Sequence, residues 1–171
     1  MTWTAPEVVR AGGSTSAPER TLLTGYLTFQ RETLLAKCAG LTGEQLAQRS
    51  VPPSSLSLLG LIRHLAKVER IWFRERFSGQ ELPPMYDPAK GKDADFDDLD
   101  PERAEADYAR YREEWRLADE AVADASLDDT FDHRGEPFSL RMIYQHMIGE
   151  YARHNGHADL LREQVDGVTG P

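Results

Sequence analysis

The chain has 171 residues and a mass of 19.3 kDa, with 40% hydrophobic and 29% charged residues. This length and composition are typical of one folded domain and exclude wholesale disorder. Lys and Arg number 20 against 29 Asp and Glu, and the net charge of −9 argues against nucleic acid as a partner. No apolar run approaches the ~20 residues that span a bilayer. Because Cys38 is the single cysteine, we expect a soluble cytoplasmic protein without disulfides, with Cys38 in its core.

Four long amphipathic helices are predicted, separated by segments rich in Gly, Pro and Ser. Residues 1–17 are rich in Gly, Ser, Thr and Pro, which predicts a flexible arm before a domain at residues 18–171. Apolar residues recur every three or four positions over about 19–39, 56–77, 101–122 and 139–165.

The segments between these helices contain no period-two alternation, so no strand is expected. Residues 78–100 carry seven acidic residues and form a long crossover, which we interpret as a solvated loop, with a gate over the site as the alternative. Residues 125–137 are predicted to be a loop with His133 in solvent. The pattern predicts an all-α fold, an up-down four-helix bundle with a long crossover between helices two and three.

Helix four carries polar residues on the face that should enter the core. At about 100° per residue, four polar side chains fall within about 80° of one another and overlap the apolar stripe: His146, Glu150, His154 and His157. Burying an imidazole or a carboxylate without a partner is costly. Core histidines satisfied by hydrogen bonds, with Glu150 paired to an arginine, are one interpretation. A divalent metal ion is the other, and the Glu/His spacing of four favours it.

The rise of the helix limits which of these residues can share an ion. At about 1.5 Å per residue, His146 and His154 lie roughly 12 Å apart along the axis, too far for one ion. The remaining pairs are His146/Glu150, Glu150/His154 and His154/His157, and a central position on the stripe favours Glu150/His154. His64 on helix two supplies a third ligand across the core. Two histidines and one carboxylate leave an open coordination position, which is typical of a catalytic ion.

Two segments resemble a known family. They are Leu58-Leu-Gly-Leu-Ile-Arg-His-Leu-Ala-Lys-Val-Glu-Arg-Ile-Trp-Phe and Glu150-Tyr-Ala-Arg-His-Asn-Gly-His-Ala-Asp-Leu-Leu-Arg-Glu. Together they resemble the DinB-like superfamily, and more closely its actinobacterial branch that includes the mini-circle protein, over about residues 19–170. The resemblance implies a four-helix bundle, a divalent metal in the core and, frequently, a homodimer.

Relatives in this superfamily include mycothiol-dependent maleylpyruvate isomerase and the bacillithiol or mycothiol S-transferases. The resemblance implies that they use zinc or a similar ion to activate a low-molecular-weight thiol. The ligand pattern of the isomerase falls on His64, Glu150 and His154, which agrees with the choice made from the helix stripe. The common superfamily motif has a histidine where this chain has Glu150.

Other polar residues near these segments have several interpretations. His157 is our candidate catalytic residue, as a general base; a hydrogen-bond donor behind a ligand, an alternative ligand and a surface histidine are the alternatives. Arg63 and Arg153 are candidates for binding a substrate carboxylate, although surface ion pairs with Glu69 or Asp159 are the favoured interpretation.

The combined prediction is a metal-dependent enzyme of the thiol S-transferase or isomerase type. A divalent ion, zinc first and nickel or another first-row ion as alternatives, would activate a mycothiol-like thiol for attack on a small electrophile. A non-catalytic metal-binding protein linked to stress or mobile elements is the rival, and a metal-assisted hydrolase is a third function. The expected partners are the electrophile, the thiol and a second copy of the chain, but neither nucleic acid nor a membrane.

Overall fold

The structure, a computed structural model, describes residues 2–170 and is mainly helical. Its α-helices are α1 (Glu19–Cys38), α2 (Gly43–Ala47), α3 (Leu58–Glu69), α4 (Ala94–Asp97), α5 (Ala104–Ala121) and α6 (Leu140–Asp166). Helix α3 continues into a π-helical segment, Arg70–Phe77. Two short 3₁₀ turns, Pro88–Lys90 and Pro101–Arg103, precede α4 and α5. Among residues 2–170, none of these helices has the length and apolar character needed to cross a membrane.

Local signals explain where the helices that hold the site begin and end. The Ser57 hydroxyl accepts a hydrogen bond from the Gly60 amide at the start of α3, and Ser139 caps α6 through the amide of Met142. Gly167 ends α6 in a left-handed conformation with φ of 78°. The prediction of a mainly helical chain is therefore confirmed.

The prediction that residues 125–137 contain no strand is wrong. A two-stranded antiparallel hairpin lies here, formed by β1 (Thr130–His133) and β2 (Glu136–Ser139). Arg134 and Gly135 form its turn with φ of 61° and 85°, both in the left-handed region that a tight two-residue hairpin requires. Strands of four residues with Pro137 inside one of them are too short to show a period-two pattern.

Helix packing brings the polar face of α6 opposite α3. Helix α1 lies along α6, α3 lies along α5, and α3 also contacts α6. Side chains from all these helices form one apolar core with no exposed surface at Leu27, Leu61, Tyr111 and Met147. Cys38 lies in the same core, as expected.

A buried ion pair crosses this core. Arg31 of α1 donates from Nε and Nη2 to the two carboxylate oxygens of Glu69, at 2.6 and 2.7 Å. The Tyr151 hydroxyl donates to the same carboxylate at 2.9 Å. Glu69 is fully buried. It therefore joins α1, α3 and α6, and the surface ion pair with Arg63 that the sequence favoured does not form.

The crossover between α3 and α5 packs against α3, so its interpretation as a solvated loop is wrong for α4. Asp95 of α4 is only 1% exposed. The buried Arg63 donates to the carbonyls of Ala94 and Asp95 and pairs with Asp107 at 2.9 Å. Arg63 therefore holds the crossover in place and is not free to bind a substrate carboxylate.

The first residues of the predicted arm contact the helical domain. Thr4 forms an isolated bridge with Thr42, the Ala5 amide donates to the carbonyl of Leu41, and Trp3 packs against Tyr108. The chain segment at residues 2–5 is thereby anchored next to α2 and α5. The domain boundary at residue 18 stays a prediction.

Candidate metal centre

The three side chains predicted as metal ligands lie together between α3 and α6. His64 projects from α3, while Glu150 and His154 lie one turn apart on α6. One ligand atom of each lies within 4.8 Å of the others. The His64 and Glu150 side chains are 21% and 22% exposed, against 10% for His154. The cluster is therefore buried on one side and accessible on the other.

The crossover fixes the orientation of the His64 ring. Its Nδ1 lies 2.8 Å from Oδ2 of Asp95, and Lys67 donates to the other carboxylate oxygen at 2.9 Å. Phe96 stacks on the ring at 4.7 Å between centroids. Burial raises the pKa of Asp95, but the hydrogen bonds from His64 and Lys67 outweigh it and leave that pKa below its usual value. An ionised Asp95 accepts a hydrogen bond from Nδ1–H of His64, which leaves the Nε2 lone pair available to an ion.

Asp95 was not among the residues predicted from the sequence. It is one of seven acidic residues in residues 78–100, and no helical or strand period marks it as buried. The only local signal is its position between Ala94 and Phe96, two apolar residues in an otherwise acidic stretch.

His154 is held as a neutral imidazole. Burial, and then the charges of His64, His157 and Arg153, lower its pKa to about 4. Its Nε2 lies 3.6 Å from a carboxylate oxygen of Glu150, and its Nδ1 lies 3.4 Å from Nδ1 of His157. A neutral histidine with a second polar group behind its ring is the form that ligates metal ions.

The chemistry of this donor set fits a divalent cation. Two ligand atoms about 2.1 Å from a tetrahedral zinc ion are roughly 3.4 Å apart, close to the observed His154–Glu150 separation of 3.6 Å. Within residues 2–170, no lysine or arginine lies at ion-pair distance from Glu150, so its charge is available to an ion. His64, Glu150 and His154 would hold the cation and leave further coordination positions open. That they bind one stays a prediction.

The remaining histidines lie in different places. His157 is half-buried beside His154. His146 and His133 lie instead against Trp72, at 4.4 and 5.3 Å between ring centroids. The expectation that His133 is solvated is therefore wrong: the hairpin that the sequence analysis missed carries it into an aromatic cluster with Phe138.

Comparison with known families agrees with this geometry. A family model described as Mycothiol-S-transferase matches residues 22–167, which include nearly all of α1 and the whole of α6. No curated protein and no solved structure matches the chain. The family is DinB-like, so the resemblance seen in the two sequence segments is confirmed. With the match extending over most of its length, the chain belongs to the mycothiol S-transferase family.

Proposed function

We propose that this protein transfers a low-molecular-weight thiol of the mycothiol type to a small electrophile. The observation that carries the proposal is the convergence of His64, Glu150 and His154, with ligand atoms within 4.8 Å of one another, in a chain of the mycothiol S-transferase family. Zinc suits two imidazoles and a carboxylate, and nickel or another first-row ion is the alternative.

The chain's own residues prepare this centre for a thiol. A divalent cation held here would lower the pKa of a thiol that it coordinates, so that thiolate forms near neutral pH. Asp95 orients His64, and Glu150 contributes the negative charge that balances part of the cation's charge. The exposed side of His64 and Glu150 leaves a path for the thiol to enter. The buried Cys38 does not serve as the thiol, because burial raises its pKa to about 12.

We assign the thiol proton to His157, a half-buried imidazole beside His154 that is not one of the three ligands. Its Nδ1 lies 3.4 Å from Nδ1 of His154, so His157 accepts the thiol proton once this contact opens and its ring nitrogen is free. The S–H bond breaks as the proton moves to this base. The sulfur then forms a bond to the electrophilic carbon, and the leaving group departs with its bonding electron pair. In an addition to an activated double bond, the π electron pair moves toward the electron-withdrawing substituent instead, and the resulting anion takes the proton back from His157.

The first experiment tests the ligand assignment. Metal content and zinc affinity are measured for the wild type and for H64A and E150A, with H146A as the matched control on α6. We expect the first two variants to lose stoichiometric metal while H146A keeps it, because His146 lies against Trp72 and away from the three donor atoms. Full metal occupancy in both H64A and E150A would refute the centre.

The second experiment tests the reaction. The metal-loaded protein is incubated with mycothiol and 1-chloro-2,4-dinitrobenzene, and thioether formation is followed against the metal-free protein. We expect a metal-dependent rate that H157A lowers by about 10²-fold or more, the typical contribution of a positioned base. Tight metal binding without transfer to any of a panel of electrophiles would favour the non-catalytic metal-binding protein, and turnover without thiol would favour the hydrolase.

The proposal also includes the arrangement of the helices, the oligomeric state and the location of the protein. We infer that the four long helices form an up-down bundle, since α1 packs along α6 and α3 along α5. A homodimer is proposed on the family resemblance, and exposed apolar side chains on the outer face, 55% for Tyr26 and 43% for Met142, are compatible with it. Light scattering on the purified protein measures the oligomeric state. A cytoplasmic location agrees with the reduced Cys38.

A further inference from the structure

A second polar cluster lies about one helical turn from the metal centre. His146 precedes Glu150 by four residues, or about 6 Å along α6, and its ring meets Trp72 at 4.4 Å. Arg76 stacks on the same indole, with its guanidinium carbon 4.2 Å from the ring centroid. The hairpin closes the other side through Phe138, 5.2 Å from Trp72. An aromatic platform therefore holds an arginine near the proposed reaction centre.

Arg76 at this platform, and the nearby Arg134 and Arg153 whose charges act on Arg76 and His146, lack acidic partners in the described part of the chain. Among residues 2–170, no carboxylate lies at ion-pair distance from Arg76, Arg134 or Arg153. Two other arginines of the same π-helical segment behave differently, since Arg70 and Arg74 both pair with Glu114.

The positive charges influence one another. Burial, and then the charge of Arg134, lower the pKa of Arg76, while nearby Glu75 raises it. Burial also lowers the pKa of His146, and the charges of Arg76 and Arg153 lower it further against the opposing effect of Glu150. A bound anion would relieve this mutual repulsion.

Arg134 occupies a position that suits another residue type. It is the first turn residue of the hairpin, with φ of 61°, where Asn, Asp or Gly is normally preferred. The hairpin is anchored to Trp72 by His133 and Phe138, so the turn is held close to Arg76. An arginine in this left-handed turn places its charge next to Arg76, a second arginine without an ion-pair partner within residues 2–170.

We propose that Trp72, Arg76, Arg134 and His146 form a subsite for the anionic group of the electrophile. The two guanidiniums bind a carboxylate or another oxyanion. Because Arg76 and Phe138 already stack on Trp72, the aromatic platform positions the guanidinium and leaves binding of the anion to the two arginines. The identification of the ligand as the electrophile rests on the proposed function. The subsite favours anionic electrophiles over neutral ones.

The binding test does not need turnover. Titration calorimetry with the unreactive probe 3,5-dinitrobenzoate compares the wild type with R76Q and R134N, and with R112Q as a control at an exposed arginine of α5. We expect each subsite variant to weaken binding at least tenfold and R112Q to leave it unchanged. Because Asn is favoured at the turn, R134N should be at least as stable as the wild type, which separates lost binding from lost folding. Failure of the wild type to bind the probe, or equal affinity in all four proteins, would overturn the subsite.

The kinetic test separates this inference from the proposed function. With mycothiol, kcat/KM for 4-chloro-3,5-dinitrobenzoate is compared with that for 1-chloro-2,4-dinitrobenzene. We expect the wild type to prefer the anionic substrate, and R76Q to lose most of this preference through a higher KM. Transfer without any preference overturns the subsite and leaves the proposed function intact. Arginine-dependent probe binding without transfer of thiol supports the subsite and refutes the function.

Discussion

Two polar clusters of this protein share α3 and α6 but are built in opposite ways. Around Glu69, every carboxylate oxygen has a donor from Arg31 or Tyr151 at 2.9 Å or less, and both charged residues are buried. Around Glu150, the nearest polar atom of the cluster is His154 Nε2 at 3.6 Å. In the first cluster, both carboxylate oxygens of Glu69 have hydrogen-bond donors within the protein. In the second, the metal-ligand atoms lie close together, but His154 and Glu150 are too far apart for a hydrogen bond.

The difference lies in whether the hydrogen bonds of each cluster are formed within the protein. A buried charge is tolerated when its hydrogen bonds are formed within the protein. When ligand atoms converge without such bonds and remain accessible, they are free to bind water or an ion. The Arg31–Glu69 pair therefore has its hydrogen bonds within the fold, and a metal ion at His64, Glu150 and His154 stays a prediction.

The largest expected effect concerns the reactivity of the buried Cys38 thiol in the apolar core. Burial raises its pKa to about 12, against a smaller opposing effect of Arg162. At pH 8 roughly one thiol in ten thousand is ionised, so we expect its reaction with Ellman's reagent to be at least about a thousandfold slower than in the unfolded chain. The same protein in guanidinium chloride is the control and should release one equivalent quickly. A fast reaction in the native state would show that this part of the core opens easily.

Breaking the buried ion pair should cost the most stability. We expect E69A to lower the free energy of unfolding by about 3–5 kcal/mol, because it leaves the Arg31 charge buried without its main partner. The matched control is E113A, which removes an exposed glutamate paired with Arg116 and should change little. Chemical denaturation measures both variants. A small loss in E69A would mean that Asp119, to which Arg31 also donates at 2.9 Å, or water is enough to balance the Arg31 charge.

The Asp95 carboxylate connects the crossover to the candidate metal centre through its contact with His64. We expect D95N to lower zinc affinity by about 10–100-fold, the usual effect of removing the hydrogen-bond partner of a histidine ligand. Asp97, an exposed residue of the same helix that pairs with Arg49, supplies the control D97N. Competition with a chelating dye measures the affinities. Equal affinities in the two variants would show that Asp95 does not orient His64.

Sequence patterns predicted the regular parts of this molecule well. The helices and the residues His64, Glu150 and His154 follow from spacing, because a helix fixes which side chains share a face. The polar residues on the apolar stripe of α6 were visible for the same reason. That these residues converge across the core required only that α3 and α6 pack against each other.

The parts that sequence reasoning missed depend on contacts between distant segments. Asp95 lies 31 residues from His64, and its burial is set by how Arg63 holds the crossover. The strands β1 and β2 are too short to give a periodic signal, and His133 was misplaced with them. A lone acidic residue in an acidic stretch has no local feature that shows where the chain will place it.

The smallest expected effect tests how closely the crossover approaches α3. A Cβ atom at Gly60 would lie 3.0 Å from the Phe96 ring, whereas one at Gly149 would meet nothing within 4 Å. We therefore expect G149A to raise the free energy of unfolding by about 0.5–1 kcal/mol, the usual gain in a helix, and G60A to show no such gain. Because Phe96 stacks on His64, G60A should also weaken zinc binding, while G149A should not. Equal gains in stability with unchanged zinc affinity would mean that the crossover can move away from α3 without disturbing the metal centre. The difference between the Arg31–Glu69 cluster and the cluster around Glu150 would then not depend on the position of the crossover.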